Sequence, residues 1–193
     1  MHAVLKGCAA VFLISTGLVS AGNLIQNPGF ETGTFSGWTV SGAGTLGSDY
    51  GISTNIPHSG TYSAWFGTPS GITYISQTFT TVPGEFYDVS FWVANQHQGP
   101  NPVNEFIVMW GSATPLDLVN SGNANWQHAG GMIAASGTTT TLEFGFMNVP
   151  GWFALDDVSV TQAVPEPGAI LLAGGGLGCL LLLRIRRGRA DLN

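Results

Sequence analysis

The chain reads Phe-Tyr-Asp-Val-Ser-Phe-Trp-Val-Ala from Phe86 to Ala94, so large apolar residues fall at every second position. Successive side chains of a β-strand point to opposite faces of the sheet. One face of this segment would therefore carry Tyr87, Val89, Phe91 and Val93. We expect that face to be buried, and the opposite face, which carries Trp92, to be mixed in polarity and open to solvent.

Six further short apolar runs lie on either side of this segment, separated by turn residues. They are predicted as strands over Ser63–Phe66, Ile72–Phe79, Glu105–Gly111, Gln127–Ala134, Thr140–Met147 and Ala154–Thr161. No stretch shows the 3.6-residue period of an amphipathic helix. The sequence therefore predicts an all-β fold, a two-sheet antiparallel β-sandwich over residues 22–161.

Charged residues make up only 8 % of the chain, and their placement is uneven. Lys6 precedes the first apolar run, and four arginines follow the last one, between Arg184 and Arg189. The stretch between Ala21 and Arg184 has no Lys or Arg but ten acids: Glu31, Asp49, Glu85, Asp88, Glu105, Asp117, Glu143, Asp156, Asp157 and Glu166. Nucleic acid is excluded as a partner, because phosphate contacts need basic side chains. Acids without basic partners are solvated, protonated or paired with a cation.

Motifs for catalysis are missing from the predicted domain. Both cysteines, Cys8 and Cys179, lie in the terminal apolar runs, which leaves no disulfide framework and no thiol nucleophile between them. The chain has no Gly-x-Ser-x-Gly elbow, no His-Glu-x-x-His and no phosphate loop. Three carboxylates, Glu85, Glu105 and Glu143, would be available to a glycosidase, but no motif selects a pair. We therefore expect no enzymatic activity.

The N-terminus has the pattern of a secretory signal peptide over residues 1–21. Lys6 supplies the basic region, an apolar stretch follows from Ala9 to Val19, and Val19-Ser20-Ala21 is a small-residue cleavage site. Cleavage after Ala21 is expected, and an uncleaved anchor is the alternative.

The C-terminus combines a proline-rich linker, an apolar span and a basic tail. Residues 162–167 contain Pro165-Glu166-Pro167, residues 168–185 are apolar, and residues 186–193 hold an arginine cluster. The apolar span is long enough for one transmembrane helix. The arginines would stay cytoplasmic, which places the domain outside the inner membrane. A single-pass membrane anchor would by itself account for the apolar span and the arginines.

This three-part C-terminus resembles the PEP-CTERM sorting domain. The resemblance covers about the last 29 residues and rests on Pro165, Glu166 and Pro167, the Gly-rich apolar span and the arginines. It implies that an exosortase processes the protein at the inner membrane of a Gram-negative bacterium. It also implies release to the cell surface or to an extracellular polysaccharide matrix.

Three motifs of the domain resemble a family of carbohydrate-binding modules with a galactose-binding-like jelly roll (families 4, 9 and 22). They are NLIQNPGFETGTFSGW from Asn23 to Trp38, HSGTYSA from His58 to Ala64, and WFALDDVSV from Trp152 to Val160. The resemblance implies a jelly-roll sandwich, glycan binding and a structural Ca²⁺. It assigns Glu31 and Asp156 as calcium ligands, helped by main-chain oxygens near Ser59. Asp157 would point the other way along its strand.

Tryptophans are the candidate contacts for a sugar, because sugar rings stack on flat aromatics while amides bind the hydroxyls. Trp92 is the predicted platform, with Asn95 and Gln96 at its polar rim, and Trp126 is a second candidate. Trp110 is expected to be buried, and Trp38 and Trp152 to close the sandwich. The overall hypothesis is a non-catalytic exported protein that binds glycan or serves in the matrix. A small polysaccharide-degrading enzyme and a protein-binding scaffold or adhesin are the alternatives.

Overall fold

The described residues form ten β-strands. The computed structural model describes residues 22–97 and 103–163. The strands are β1 (Thr39–Gly42), β2 (Tyr50–Ser53), β3 (Ser63–Phe66), β4 (Thr73–Thr80), β5 (Phe86–His97), β6 (Val103–Trp110), β7 (Ala113–Val119), β8 (Ala124–Ala134), β9 (Thr139–Val149) and β10 (Gly151–Gln162). The described residues form no helix that is long and apolar enough to cross a membrane.

The strands form two antiparallel sheets of five. Sheet A has the order β1-β4-β9-β6-β7, and sheet B has the order β2-β3-β10-β5-β8. This arrangement confirms the predicted all-β sandwich with two antiparallel sheets. The predicted signal peptide over residues 1–21, the sorting motif and the C-terminal helix lie outside the described residues.

Aromatic side chains join the two sheets into one core. Phe66 of sheet B stacks on Phe146 of sheet A, with ring centroids 4.1 Å apart and planes 3° from parallel. Phe91 of sheet B meets Phe144 of sheet A edge to face at 5.0 Å. Tyr87, Val89 and Phe91 are buried, and Val93 packs against the same core, as the alternation predicts. Large apolar burial of this kind is the main stabilising contribution to such a fold.

All seven predicted strands are present, and three further strands escaped prediction. The missed strands β1 and β2 have four residues each, and β7 is exposed at six of its seven positions. Strand β7 forms a hairpin with β6 at the edge of sheet A. Edge strands need no buried face, so their sequences lack the alternation on which the prediction depends.

Candidate functional site

A fully buried carboxylate lies where the last strand passes the segment before β1. The Asp156 side chain has no exposed surface. Its Oδ2 accepts hydrogen bonds from the backbone N–H groups of His58 (2.9 Å) and Ser59 (3.2 Å), and its Oδ1 accepts one from Asp157 (2.8 Å). Burial raises the pKa of Asp156 to about 6, against the lowering effect of these amides. The negative charge is therefore stabilised only by backbone dipoles.

Glu31 is held by the same loop that covers Asp156. Its carboxylate accepts hydrogen bonds from the N–H groups of Thr61 (3.0 Å) and Tyr62 (3.1 Å). A Cβ on Gly29 would lie 3.3 Å from Asp156 Oδ1 and 3.7 Å from the Cγ of Glu31. The structure thus brings the two residues that the resemblance assigned to calcium close to the same glycine.

Asp157 does not follow the strict alternation expected for it. The register of β10 shifts between Asp156 and Ser159, and Asp157 adopts a left-handed backbone conformation with φ of +50°. Its Oδ1 accepts a hydrogen bond from the Ser59 hydroxyl at 2.7 Å, and its Oδ2 lies 2.6 Å from His58 Nδ1. This β-bulge turns both neighbouring carboxylates toward the loop at His58.

The donor chemistry of these residues suits a hard divalent cation. Glu31, Asp156 and Asp157 offer only oxygen atoms, and each carboxylate has lone pairs beyond those used by the loop. The sequence between Ala21 and Arg184 has no Lys or Arg that could neutralise them. Across residues 22–97 and 103–163, no three His, Cys, Asp or Glu side chains are arranged as a metal-binding group. By donor type alone, the carboxylate oxygens of Glu31 and Asp156 suit Ca²⁺.

An aromatic patch covers part of the outer face of sheet B. We call this group the Trp92 patch; it consists of His58, Trp92, Trp126 and His128. The imidazole of His58 stacks on Trp92 at 3.8 Å and 17°, and it meets Trp126 at 5.5 Å and 68°. His128 lies 5.2 Å from Trp92 on the neighbouring strand. Trp92 is therefore on the outer face, as predicted, but one of its ring faces is covered by His58.

The two predicted rim residues lie on opposite sides of sheet B. Gln96 is half-buried and shares the outer face with Trp92. Asn95 is only 4 % exposed; its Nδ2 donates to Ser121 and Gly122, and its Oδ1 accepts from Asn148 Nδ2 at 2.8 Å. This placement differs from the expectation for Asn95, because β5 continues to His97 and the alternation turns residue 95 inward.

The remaining tryptophans divide between core and surface. Trp110 is buried, as predicted, and its Nε1 donates to the carbonyl of Ala134 at 3.0 Å. Trp38 is buried in the core, where it stacks on Phe30 at 5.6 Å. Trp152 is half-buried and pairs with Gln96 on the outer face of sheet B. Trp38 therefore closes the sandwich as expected, whereas Trp152 lies on its surface.

Sheet A carries an aromatic surface that the sequence interpretation missed. The half-buried ring of Tyr74 extends over both neighbouring strands: a Cβ on Gly42 of β1 would lie 2.9 Å from its Cδ2, and a Cβ on Gly145 of β9 would lie 2.8 Å from its Cε1. Since any side chain at these glycines would displace the ring, Tyr74 lies against the sheet. We call this outer face the Tyr74 surface. The alternation of Tyr74, Ser76, Thr78 and Thr80 with buried residues was the signal available in the sequence.

Polar residues surround Tyr74 on this face. By strand register, the row through Tyr74 runs from Ser41 to Gly145, Ile107 and Asp117. The next row places Glu143 between Ser76 and Met109. The Tyr74 surface therefore combines one aromatic ring with hydroxyls, carboxylates and the apolar side chains of Ile107 and Met109, and the described residues include no Lys or Arg.

Comparison with known proteins identifies the fold. No protein-family model matches the chain. The endo-1,4-β-xylanase A of Thermoanaerobacterium saccharolyticum is 37 % identical over 83 residues, which cover 39 % of this chain and 6 % of that enzyme. The chain thus matches only a small part of that xylanase.

Solved structures of carbohydrate-binding modules are similar over most of the domain. A family 61 module in complex with β-1,4-galactotriose has a TM-score of 0.58 at 22 % identity, covering 74 % of this chain and 100 % of that one. The family 22 xylan-binding domain of a Paenibacillus barcinonensis xylanase has a TM-score of 0.52 at 16 % identity, covering 76 % and 98 %. A cleaved adhesin domain of Lys-gingipain also has a TM-score of 0.52, at 14 % identity, covering 69 % and 96 %. The domain therefore has the jelly-roll fold of carbohydrate-binding modules.

Proposed function

We propose that this chain is a non-catalytic exported protein whose domain binds a neutral glycan on the Tyr74 surface. The observation that carries the proposal is the Tyr74 ring held against sheet A by glycines on both neighbouring strands. The C–H face of a sugar ring stacks on such an aromatic surface, and side-chain oxygens around it bind the hydroxyls. The fold, shared with a galactotriose-binding module, supports this proposal.

The charge of the domain favours a neutral ligand. Glu143 and Asp117 lie on the Tyr74 surface, and no Lys or Arg occurs between Ala21 and Arg184. An acidic polysaccharide would meet like charges here without any compensating cation from the protein. Neutral hexose or pentose chains meet no such repulsion.

Glu143 and Glu105, two of the glutamates that a glycosidase could use, lie too far apart on the Tyr74 surface to act as its pair. On the Tyr74 surface, Glu143 pairs with Met109, whereas Glu105 pairs with Met147. The two glutamates are thus offset by four residues, about 13 Å along the strands at the usual rise. Paired glycosidase carboxyl groups lie about 5–10 Å apart. Glu85 lies in the turn before β5, away from this face.

Ca²⁺ would bind at Glu31 and Asp156 as a structural ion. When bound, it supplies the positive charge that the domain's own side chains lack. Glu31 and Asp156 hold the loop from His58 to Tyr62 against the last strand through four backbone N–H groups. A bound cation would offset the cost of burying the ionised carboxylate of Asp156, whose pKa is raised by that burial.

The two ends of the sequence support export and sorting. We propose that the signal peptide is removed after Ala21 and that an exosortase processes the region of Pro165, Glu166 and Pro167. Before processing, residues 168–185 would anchor the chain in the inner membrane, with the domain in the periplasm. Afterwards the domain would reside at the cell surface or in the polysaccharide matrix. Replacing Pro165, Glu166 and Pro167 by alanines should leave the full-length chain in the inner-membrane fraction; normal release would contradict the assignment.

Retention on polysaccharide tests the glycan proposal. The full chain, purified in detergent, is passed over the extracellular polysaccharide of the source organism, with Ca²⁺ and with chelator. We expect wild type to be retained and Tyr74→Ala to lose at least tenfold in affinity. Thr80→Ala, on the same face of the same strand, is the matched control and should bind as wild type does. Absence of retention would reject glycan binding.

The same assay separates the alternatives. Release of soluble sugar from the polysaccharide by the purified chain would indicate an enzyme. Retention that appears only after a second protein is added would indicate a scaffold or adhesin. Neither outcome is expected if the Tyr74 surface itself holds the glycan.

A further inference from the structure

We propose that the Trp92 patch is a second glycan-binding surface, so that one domain engages two polysaccharide chains. This inference rests on the proposed glycan-binding function. The Tyr74 surface is the outer face of sheet A, and the Trp92 patch lies on the outer face of sheet B. Packed sheets are about 10 Å apart and their outer faces point in opposite directions. A chain lying along one face therefore leaves the other face free for a second chain.

The position of the Trp92 patch favours a role in ligand binding over a role in the hydrophobic core. Asp156, Trp92 and His128 are direct partners across β10, β5 and β8, on the side of sheet B that faces away from Phe91. Trp126 is half-buried on the edge strand β8, and His128 beside it is exposed. Two tryptophans and two histidines together on the outer surface of a sheet are typical of a contact surface.

The shape of the patch suits a sugar ring. His58 lies parallel to Trp92, and Trp126 stands at 68° to His58, so the rings form a floor and a wall. Flat aromatic faces set at an angle can contact one face and one edge of a pyranose, whereas an apolar protein partner would favour aliphatic side chains as well. Asp157 and the other acids of the domain disfavour an anionic ligand.

The imidazole of His58 provides a polar atom that is held in place within the Trp92 patch. Its Nδ1 lies 2.6 Å from Asp157 Oδ2, and a carboxylate accepts, so Nδ1 is the nitrogen that carries the proton. In the neutral ring Nε2 is then an acceptor, and it makes no hydrogen bond to the described residues. A hydroxyl of a neighbouring sugar unit that lies in the plane of the imidazole can donate to Nε2. The patch therefore has both the stacking surface and the directional contact that saccharide recognition requires.

Stoichiometry distinguishes one surface from two. Oligosaccharides prepared from the source organism's polysaccharide are titrated into the full chain by calorimetry, and the number bound per chain is measured. We expect two per wild-type chain, one for Tyr74→Ala, one for Trp126→Ala and none for the double variant. Gln127→Ala, the exposed neighbour of Trp126 on β8, is the matched control and should bind two. Melting temperatures of the variants within a few degrees of wild type show that they are folded.

Each contrary result has a distinct meaning. One oligosaccharide per wild-type chain, lost in Tyr74→Ala and kept in Trp126→Ala, would overturn the second surface and leave the proposed function standing. One oligosaccharide per wild-type chain, lost only in Trp126→Ala, would overturn the proposal of two binding surfaces. The single binding site would then be the Trp92 patch. No binding by any form would reject the proposed function itself.

Discussion

Asp156 is an ionisable group that the fold buries without a basic side chain beside it. Burial raises its pKa from 3.8 to about 6. Between pH 3.8 and about pH 6, the Asp156 carboxyl group is protonated in the folded chain but ionised in the unfolded chain. Proton binding therefore favours the folded state, and the free energy of unfolding should rise as pH falls through 6.

The first prediction concerns this pH dependence in the absence of calcium. In EDTA, lowering the pH from 7 to 5 should increase the contribution of Asp156 to the free energy of unfolding by about 1 kcal/mol. Urea unfolding of wild type and Asp156→Asn at both pH values measures it, because the variant lacks this group. Equal pH dependence in the two proteins would contradict the shifted pKa. Added Ca²⁺ should stabilise the wild type more at pH 7 than at pH 5, since protons and cations compete for the carboxylate.

The second prediction concerns a glycine that touches Glu31. Gly60 has φ of +62°, and a Cβ there would lie 2.3 Å from Glu31 Oε1. Gly111 has φ of +57° with nothing within 4 Å of the same position. Both alanine variants should lose about 1 kcal/mol for the left-handed backbone. Gly60→Ala should lose about 1–3 kcal/mol more, because the carboxylate must leave the N–H groups of Thr61 and Tyr62. Denaturant midpoints measure the difference, and equal losses would show that Glu31 is not held there.

Two adjacent glycines of β8, Gly130 and Gly131, differ in the space that is available for a side chain. A Cβ on Gly130 would lie 2.1 Å from the carbonyl oxygen of Val89, whereas Gly131 has open space around it. Gly130 thus allows β8 to approach β5 closely. Gly131 makes no such close approach. It therefore only adds the large loss of backbone entropy that a glycine undergoes when the strand folds.

The third prediction follows from this pair. Gly131→Ala should stabilise the domain by about 0.5–1 kcal/mol, because alanine restricts the unfolded chain and fits the strand. Gly130→Ala should destabilise it by 2 kcal/mol or more, at the order of magnitude of overpacked sites. Thermal melting of both variants tests the prediction. Two variants of equal stability would show that β8 is not paired to β5 in this register.

Element boundaries explain much of what the sequence could and could not predict. The inward face of β5 was predictable, since Tyr87, Val89 and Phe91 alternate over a long strand. Asn95 was misplaced because the strand was ended at Ala94, although the same alternation turns it inward. Asp157 was misplaced because a β-bulge is a property of two paired strands and leaves no pattern in one of them. Tyr74 gained its importance from Gly42 and Gly145, which are distant in sequence and adjacent only in the sheet.

The domain holds its hydrophobic core within residues 22–163. The aromatic stack between Phe66 and Phe146 joins the sheets, and the first described residues are tied to the last strand by Leu24, whose N–H donates to the carbonyl of Val160 at 2.8 Å. Both ends of the domain are thus fixed inside the sandwich. None of these contacts needs the terminal segments.

The fourth prediction is that residues 22–163 fold when expressed without either end. Calorimetry should show one cooperative transition, with an enthalpy of about 100 kcal/mol at the usual 0.7 kcal/mol per residue. The melting temperature should match that of the domain in the full chain. A broad transition or a markedly lower melting temperature would show that the terminal segments contribute to the core.

The loop that begins at His58 touches both the buried carboxylates and the Trp92 patch. Its backbone N–H groups hold Asp156, and its imidazole lies 3.8 Å from Trp92. Indole emission responds to its immediate surroundings, so the fluorescence of Trp92 should depend on whether the loop is seated on the carboxylates. If Ca²⁺ binds there, a change in tryptophan emission on adding it, lost in His58→Ala, would report the seating of the loop without any attached dye.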